Sequence, residues 1–354
     1  MKILFVCSHE SIYRKNCNPF VSSLIQGLKD YGHIEVDYGL DYFWNNYSSY
    51  DLIYFQWPDR AFTGKIETTD LNKISTHLEL IKKHGIKTVI TCHDLKPHNG
   101  DTIITKLYEL VYSKVDAFHH LGNYSYQLMK SKYPQKYHFI VPHHIADSYF
   151  ELFNTQEAKS RLSIHSNDIV IASFGAFRNR LEKQLFLTMV EDTQQSNVLY
   201  LAPRLSIFDR TYTNWIIPYI KEYLYCRSKR IRTKGLLSED QLRLWLSATD
   251  IVFIQRKSIL NSGNVPLAFA AGKVVVGPNI GNVGDILKET GNLVFDPNNS
   301  ETVKSAVLKA MKMVKEGNDL GYSNYLYAKS NCNIPLVSKN IAAHLNVIKD
   351  GYKK

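Results

Sequence analysis

Two doubly wound α/β domains in one chain are what this sequence predicts, on three observations. The chain has 354 residues, more than one hydrophobic core ordinarily organises. Residues 2–8 are an apolar run that passes through a polar loop into helical spacing at Phe20, Leu24, Ile25 and Leu28, the strand–loop–helix opening of such a domain. After a polar stretch at 147–166, a buried-strand pattern restarts with Ile169, Val170, Ile171 and Ala172.

Taken in order, the first domain offers strands at residues 2–8, 34–38, 51–56, 88–91 and 116–120, with helices between, and Val141-Pro142-His143-His144 closing its sheet. The second offers strands at 168–174, 197–202, 230–237 and 250–255. Ser238 and Gln241 form a capping box that starts an amphipathic helix, and 302–314 is a further helix. The expected division is 1–155 for the first domain and 166–334 for the second. A last helix at 335–354 is expected to cross back onto the first domain. No repeats or low-complexity segments are present.

Composition narrows the class. Hydrophobic residues make up 44% and charged residues 21%, the balance of a globular rather than a disordered chain. No apolar run reaches the roughly 18 residues that span a bilayer, and the first residues are too short for a signal peptide. Cys7, Cys17, Cys92, Cys226 and Cys332 are odd in number and scattered, so a reduced, cytoplasmic protein is expected. The formal net charge is +10, unevenly shared: residues 1–165 hold 18 Lys+Arg against 17 Asp+Glu, and 166–354 hold 25 against 16. That surplus suits phosphate-bearing ligands, nucleic acid or an anionic membrane surface. The basic cluster at 227–234 also fits an ordinary solvated face, and no aromatic residues interleave it as stacking platforms, so nucleic acid is the least favoured partner.

One stretch carries most of the functional content. Asn261-Ser262-Gly263-Asn264 is a small polar loop, followed by a short apolar helix closed by Gly272 and the strand pattern Lys273-Val274-Val275-Val276-Gly277-Pro278. Pro266 suits the first helical turn, and Gly272 suits the left-handed position past its end. The loop is expected to aim backbone N–H groups and a helix N-terminus at one point, an anion site for phosphate. Gly263 would let the ligand approach, with Ser262 and Asn264 adding donors. A plain helix cap is the alternative.

Loop, helix, glycine, strand and the following Gly281-Asn282-Val283-Gly284-Asp285-Ile286 resemble the donor-binding segment of GT-B glycosyltransferases, most like glycosyltransferase family 4 and its relatives. That family's paired glutamates would fall at Ile259 and Leu267 and are absent, so the sequence resembles a branch in which an Asn-Ser-Gly loop stands there. Thr91-Cys92-His93-Asp94-Leu95-Lys96-Pro97-His98 is similar to the branch's Thr-x-His-Asn-x-x-Pro-His segment. By that resemblance His93 faces the donor sugar as a catalytic residue, and His98 lies on the acceptor side. Asn16 and Asn18 replace a glycine pair of the first loop and are placed on the acceptor side as well. Gln56 occupies the polar place of a His-Trp-Pro-like turn.

Gly175-Ala176-Phe177-Arg178-Asn179-Arg180-Leu181-Glu182-Lys183 is similar to the family's Gly-x-x-Arg-x-x-Lys turn, whose cations neutralise the donor diphosphate. Arg178 matches; the lysine place holds Leu181, leaving Arg180 or Lys183 to substitute. Gly235, Leu236 and Leu237 fall where backbone groups meet the base, and Asn261 is assigned to base or ribose. The resemblance therefore implies a GT-B fold, two Rossmann-like domains facing across a cleft. It implies a metal-independent transferase using a nucleotide-diphosphate sugar, with a glycan or lipid-linked glycan acceptor, no cofactor, and residence in the cytoplasm or on the inner membrane leaflet. Retention of anomeric configuration is the first expectation and inversion the alternative. A sugar-nucleotide-binding protein without turnover is a further one. The histidine pairs His119-His120 and His143-His144 lack a spaced third ligand and are read as structural or acceptor-side.

Overall fold

The protein is described here from a computed structural model that covers residues 1–7, 19–62, 67–97, 101–207 and 216–351. It divides into two compact units: residues 1–146 with the chain from Asn331 onward, and Asp147–Ser330.

In the first unit, six parallel strands form one sheet: β1 (Lys2–Val6), β2 (Glu35–Tyr38), β3 (Leu52–Phe55), β4 (Lys87–Thr91), β5 (Ala117–His120) and β6 (Tyr137–Ile140), in the order β2-β1-β3-β4-β5-β6. Helices α1 (Phe20–Asp30), α2 (Leu40–Asn45), α3 (Pro58–Ala61), α4 (Thr68–Lys83), α5 (Thr102–Lys114) and α6 (Asn123–Lys132) connect them. The strands are runs such as Ile3-Leu4-Phe5-Val6 and Leu52-Ile53-Tyr54-Phe55, buried throughout, as expected of a parallel sheet covered on both faces. Strand order reverses between β1 and β3, so the loops after those two strands flank this unit's switch point.

The second unit begins with α7 (Thr155–Arg161) and continues β7 (Ile169–Ala172), α8 (Arg180–Thr193), β8 (Val198–Leu201), α9 (Ile216–Ser228), β9 (Ile231–Arg232), α10 (Glu239–Ser247) and β10 (Ile251–Phe253). It ends with α11 (Asn264–Ala270), β11 (Val274–Pro278), α12 (Gly281–Glu289), β12 (Leu293–Phe295), α13 (Ser300–Lys315) and α14 (Leu320–Asn331). Its six strands are again parallel, in the order β12-β11-β10-β7-β8-β9. Starting from β7, the chain builds outward through β8 and β9, then returns to place β10 on the other side. The switch point therefore lies between β7 and β10.

Most boundaries shift by a residue or two from the sequence reading, but three differences have a physical cause. The strand expected at 230–237 is only Ile231–Arg232, because Lys234 and Gly235 both turn their N–H groups onto Pro203 O, at 3.1 and 2.7 Å, and Gly235 is left-handed at φ 97°. Residues 141–144 do not form the closing strand. Tyr137–Ile140 does, and after Val141 donates to His120 O the ladder meets Pro142, which has no N–H to give. Residues 147–155 group with the second unit, where Phe150 packs on Tyr325 and the Arg243 guanidinium lies over Phe153 and donates to Glu151 O.

The last helix, α15 (Ile334–Lys349), packs on α1 in the first unit. Their approach is close enough to require a glycine: a Cβ on Gly27 would lie 2.2 Å from Ser338 Oγ and 2.8 Å from Ile334 Cγ2. Gly27→Val should therefore destabilise the protein by about 1–3 kcal/mol through overpacking, read as a lower urea midpoint with an unchanged slope. An unaltered midpoint would contradict this packing.

Candidate functional site

The second unit's switch point is built from the loops that leave β7 and β10, and buried polar side chains tie the two loops together. Gln255, fully buried just past β10, accepts from Ser173 Oγ at 2.5 Å and donates from Nε2 to Gly175 O at 2.9 Å. The next residue, Arg256, is also buried. Its Nη1 donates to Ala176 O at 2.7 Å and to the Glu182 carboxylate. Glu182 Oε2 additionally accepts the Arg178 N–H at 2.8 Å, while Asn179 caps the start of α8 by accepting from Glu182 N at 3.0 Å. Glu182 thus reaches back from the first turn of α8 to fix the loop before it.

This arrangement leaves positive charge in excess. Burial is the first cause that lowers the Arg256 pKa, and the charges of Arg178 and then Arg204 act in the same direction, with Glu182 opposing them. Arg256 stays charged nonetheless, as guanidinium groups in proteins do. Three arginines, Arg178, Arg204 and Arg256, thus lie near one another at the carboxyl ends of β7, β8 and β10, and among the described residues Glu182 is the carboxylate paired with Arg256. Such a group is completed by an anion. Gly175 lies against it: a Cβ there would be 2.8 Å from Arg256 Nη2, 3.0 Å from Asn264 Nδ2 and 3.1 Å from Gln255 Nε2. That geometry requires glycine and brings the two predicted segments, 175–178 and 261–264, together.

The loop at 261–264 differs in detail from its reading. α11 has seven residues and no side-chain cap, so its macrodipole is small. Asn264 N goes to Ser262 Oγ at 3.3 Å and Val265 N to Ser262 O at 3.2 Å, and Pro266 has no N–H. Among these first positions Gly263 N makes no hydrogen bond within the described residues. The several free N–H groups expected here reduce to that one, and the guanidinium cluster carries the attraction for an anion. Gly263 has φ −62°, which any residue tolerates. At the far end the helix closes as read: Gly272 is left-handed at φ 67°, with Gly272 N on Phe269 O and Lys273 N on Ala268 O.

Asn261 Oδ1 accepts from the buried Asn282 Nδ2 at 2.7 Å. Left-handed Gly281 passes so close beneath that a Cβ would be 2.6 Å from Ile259 O. The 281–284 segment is thus a support for the loop. Arg178 is exposed just before α8, and on the first turns of that helix Arg180 is exposed and Lys183 half-buried. Gly235, Leu236 and Leu237 lie on the turn after edge strand β9, tied through Pro203 to the loop carrying Arg204. Arg256, Gln255 and Glu182 were not singled out in the sequence. The available signal was a Gln-Arg pair directly following a buried strand that feeds the loop.

In the first unit, His93 follows β4 and is buried. Its ring stacks on Trp57 at 3.7 Å and 13°, Phe20 meets it edge-on at 4.9 Å, and its Nε2 pairs with Gln56 Oε1 at 2.9 Å. Gln56 Nε2 is buried and makes no hydrogen bond of ordinary geometry among the described residues. Asn16, Asn18 and His98 lie outside the described residues.

The histidine pairs at 119–120 and 143–144 are committed to structure. His119 Nε2 donates to Val141 O at 2.8 Å, which leaves Nδ1 to accept from Tyr54 Oη at 2.7 Å. His120 bonds Ser125 and His138. His143 and His144 pack on the Phe20 ring at 4.5 Å each. No group of three metal-ligating side chains occurs among the described residues.

Burial pulls His119 and His143 down to about 4 and His144 to about 3. All three fold neutral, whereas an unfolded chain protonates them near the ordinary histidine value of 6.5. The unfolded state therefore binds more protons between 6.5 and about 4, and stability is lost as pH falls through that window. The expected slope is at most about 1.4 kcal/mol per pH unit per histidine. Urea midpoints measured across the window should fall steadily, and His143→Phe should flatten the fall. A midpoint independent of pH there would contradict the neutral cluster.

No known protein-family profile and no curated protein sequence matches the chain. Solved structures match it along nearly its whole length. Sucrose-phosphate synthase from Thermosynechococcus elongatus aligns at 12% identity over 98% of each chain with a TM-score of 0.73. HepE from Anabaena, in complex with UDP, aligns at 13% identity over 98% of this chain and 100% of its own, also at 0.73. An α,α-trehalose-phosphate synthase (UDP-forming) from Burkholderia vietnamiensis aligns at 10% over 99% of each chain, at 0.61. At such identities the likeness is one of fold, and the fold is GT-B.

Proposed function

We propose that the protein is a glycosyltransferase that moves a sugar from a nucleotide-diphosphate sugar to a glycan or lipid-linked glycan acceptor. The observation that carries this reading is the buried Arg256 beside side-chain-free Gly175, with Arg178 and Arg204 close by and, among the described residues, Glu182 as the carboxylate that opposes them. A diphosphate supplies the missing negative charge. The UDP and UDP-glucose complexes of HepE, which has the same fold, support this class of ligand.

As the bond from the sugar to the diphosphate breaks, negative charge grows on the leaving oxygens. The Arg256 guanidinium, held in place by Glu182 and Ala176 O, stabilises that charge without reorganising, with Arg178 and Arg204 close by. The chain's own cations thus take the role a metal would take elsewhere. Ser262 and Gly263 N–H add donors at the same point, and Lys183 or Arg180 adds countercharge. Gly235, Leu236, Leu237 and Asn261 remain assigned to the base and ribose. His93 is assigned to the reacting sugar, its ring fixed by Trp57 and Gln56. No described helix is long and apolar enough to cross a membrane; the acceptor is assigned as a glycan, or a lipid-linked glycan presented at the inner membrane leaflet.

The test is consumption of UDP-, GDP-, ADP- and dTDP-sugars, followed by donor affinity and turnover on variants. Ser262→Ala should cost about 1.5–3 kcal/mol of donor binding, a hydrogen bond to a charged acceptor. Arg178→Ala should cost at least as much, and the two losses should not add because both act on one charge. His93→Ala should depress turnover far more than donor affinity. No consumption of any donor, or a Ser262→Ala protein that loses about 1 kcal/mol of stability and no affinity, would reject the reading.

A further inference from the structure

Five polar side chains are buried together at the carboxyl ends of β3, β4 and β5: Tyr54, Gln56, Thr91, His93 and His119, none more than 6% exposed. Tyr54 on β3 and Gln56 just past it are two residues apart, the spacing that returns a side chain to the same face. Thr91 ends β4, two residues before His93, and is the register partner of His119 on β5. Buried polar groups are costly unless donors meet acceptors, so the direction of each hydrogen bond in such a network is constrained by its neighbours.

One end of the network sets that direction. Val141 O can only accept, so His119 carries its proton on Nε2 and offers the lone pair of Nδ1. The opposite tautomer would set two acceptors against each other at 2.8 Å. Burial pulls the His119 pKa down to about 4, so a second proton does not relieve the choice at neutral pH. Tyr54 Oη therefore donates to Nδ1 at 2.7 Å, and its oxygen accepts from Thr91 Oγ1 at 3.2 Å. Burial is the first cause acting on Tyr54 and raises its pKa, while Thr91 and Gln56 act against it, as groups donating toward a phenol oxygen do. Gln56 thus turns its amide N–H edge to Tyr54, short of ordinary hydrogen-bond geometry, and its carbonyl to His93. Gln56 Oε1 can only accept, so His93 Nε2 donates to it at 2.9 Å. Trp57 stacked on the imidazole and Phe20 edge-on hold the ring in that orientation.

We propose that Gln56, Tyr54 and His119 are positioning residues: the buried chain from Val141 O to Gln56 keeps the His93 proton on Nε2 and its lone pair on Nδ1. His93 then meets a sugar as a hydrogen-bond acceptor, and the group it recognises is a hydroxyl that donates. A phosphate oxygen, which has no proton to give, is refused by the same nitrogen. The sugar as partner rests on the transferase reading, whereas the tautomer does not.

The test is proton–nitrogen correlation NMR of the histidine rings in nitrogen-labelled protein, with the His93 signals identified by their loss in His93→Gln. Above the histidine titration range and without any donor, wild-type His93 should show Nε2 at the protonated shift and Nδ1 at the unprotonated shift, with no averaging. In Gln56→Leu and in Tyr54→Phe, which keep side-chain size, the two shifts should move toward each other as the second tautomer becomes populated. A wild-type His93 with its proton on Nδ1, or with averaged shifts, would overturn the inference. So would unchanged shifts in either variant with a native melting temperature. With a donor that the panel selects, Gln56→Leu should lower kcat by roughly two- to tenfold, the worth of one hydrogen bond, and leave the donor KM as it is. A raised KM at unchanged kcat would overturn the positioning role. A protein that consumes no donor still gives the NMR outcome, so failure of the transferase reading and failure of this inference are told apart.

Discussion

A buried cation paired with one carboxylate and set near two other cations is the constraint on which the second unit's site depends. Arg256 is removed from water at the point where β10 leaves the sheet, and Glu182 is the carboxylate that pairs with it there. Breaking such a pair by removing one partner ordinarily costs about 3–5 kcal/mol, so each neighbouring feature bears on its geometry. Asn179 starts α8 where Glu182 can reach, Gln255 holds the β7 and β10 loops at one separation, and Gly175 leaves room for the guanidinium. With Arg178 and Arg204 added, the pair cannot neutralise its surroundings. The fold thus keeps an electrostatic deficit at its switch point, and a diphosphate group has the charge and size to meet it.

The two units use the same topology for different chemistry. In the second, the carboxyl ends of the strands concentrate guanidinium groups; in the first, they concentrate aromatic and imidazole rings. Trp57, Phe20 and His93 pack as stacked and edge-on rings, and burial keeps His119, His143 and His144 neutral. Stacked and edge-on rings suit apolar sugar faces, and guanidinium groups suit phosphate.

Much of the fold was legible because parallel strands buried on both faces leave unbroken apolar runs. Ile169-Val170-Ile171 and Val274-Val275-Val276 have little else to become. Caps were legible too, since Ser238 with Gln241 and Gly272 after an apolar helix are local chemistry, and both appear as read. The short strand at Ile231–Arg232 was overread because Pro203, distant in sequence, captures the N–H groups that would have continued it. Residues 261–264 were read from their local chemistry and Arg178 from a resemblance, and the structure sets both segments around Gly175. Arg256 was not read, because a single arginine after a strand looks like surface. What buries it are Gly175, Ala176 and Glu182, far away along the chain.

The account's central claim is that the Arg178–Arg204–Arg256 group with Glu182 is an anion site for a diphosphate. Calorimetric titration compares a nucleoside with its diphosphate, for the base that the donor panel selects, on the wild-type protein and on Arg256→Met. The account predicts that the diphosphate binds the wild-type protein at least a hundredfold more tightly than the nucleoside, and that most of this advantage disappears in a folded Arg256→Met. Equal affinity for nucleoside and diphosphate, or a full diphosphate advantage retained by Arg256→Met, would contradict it.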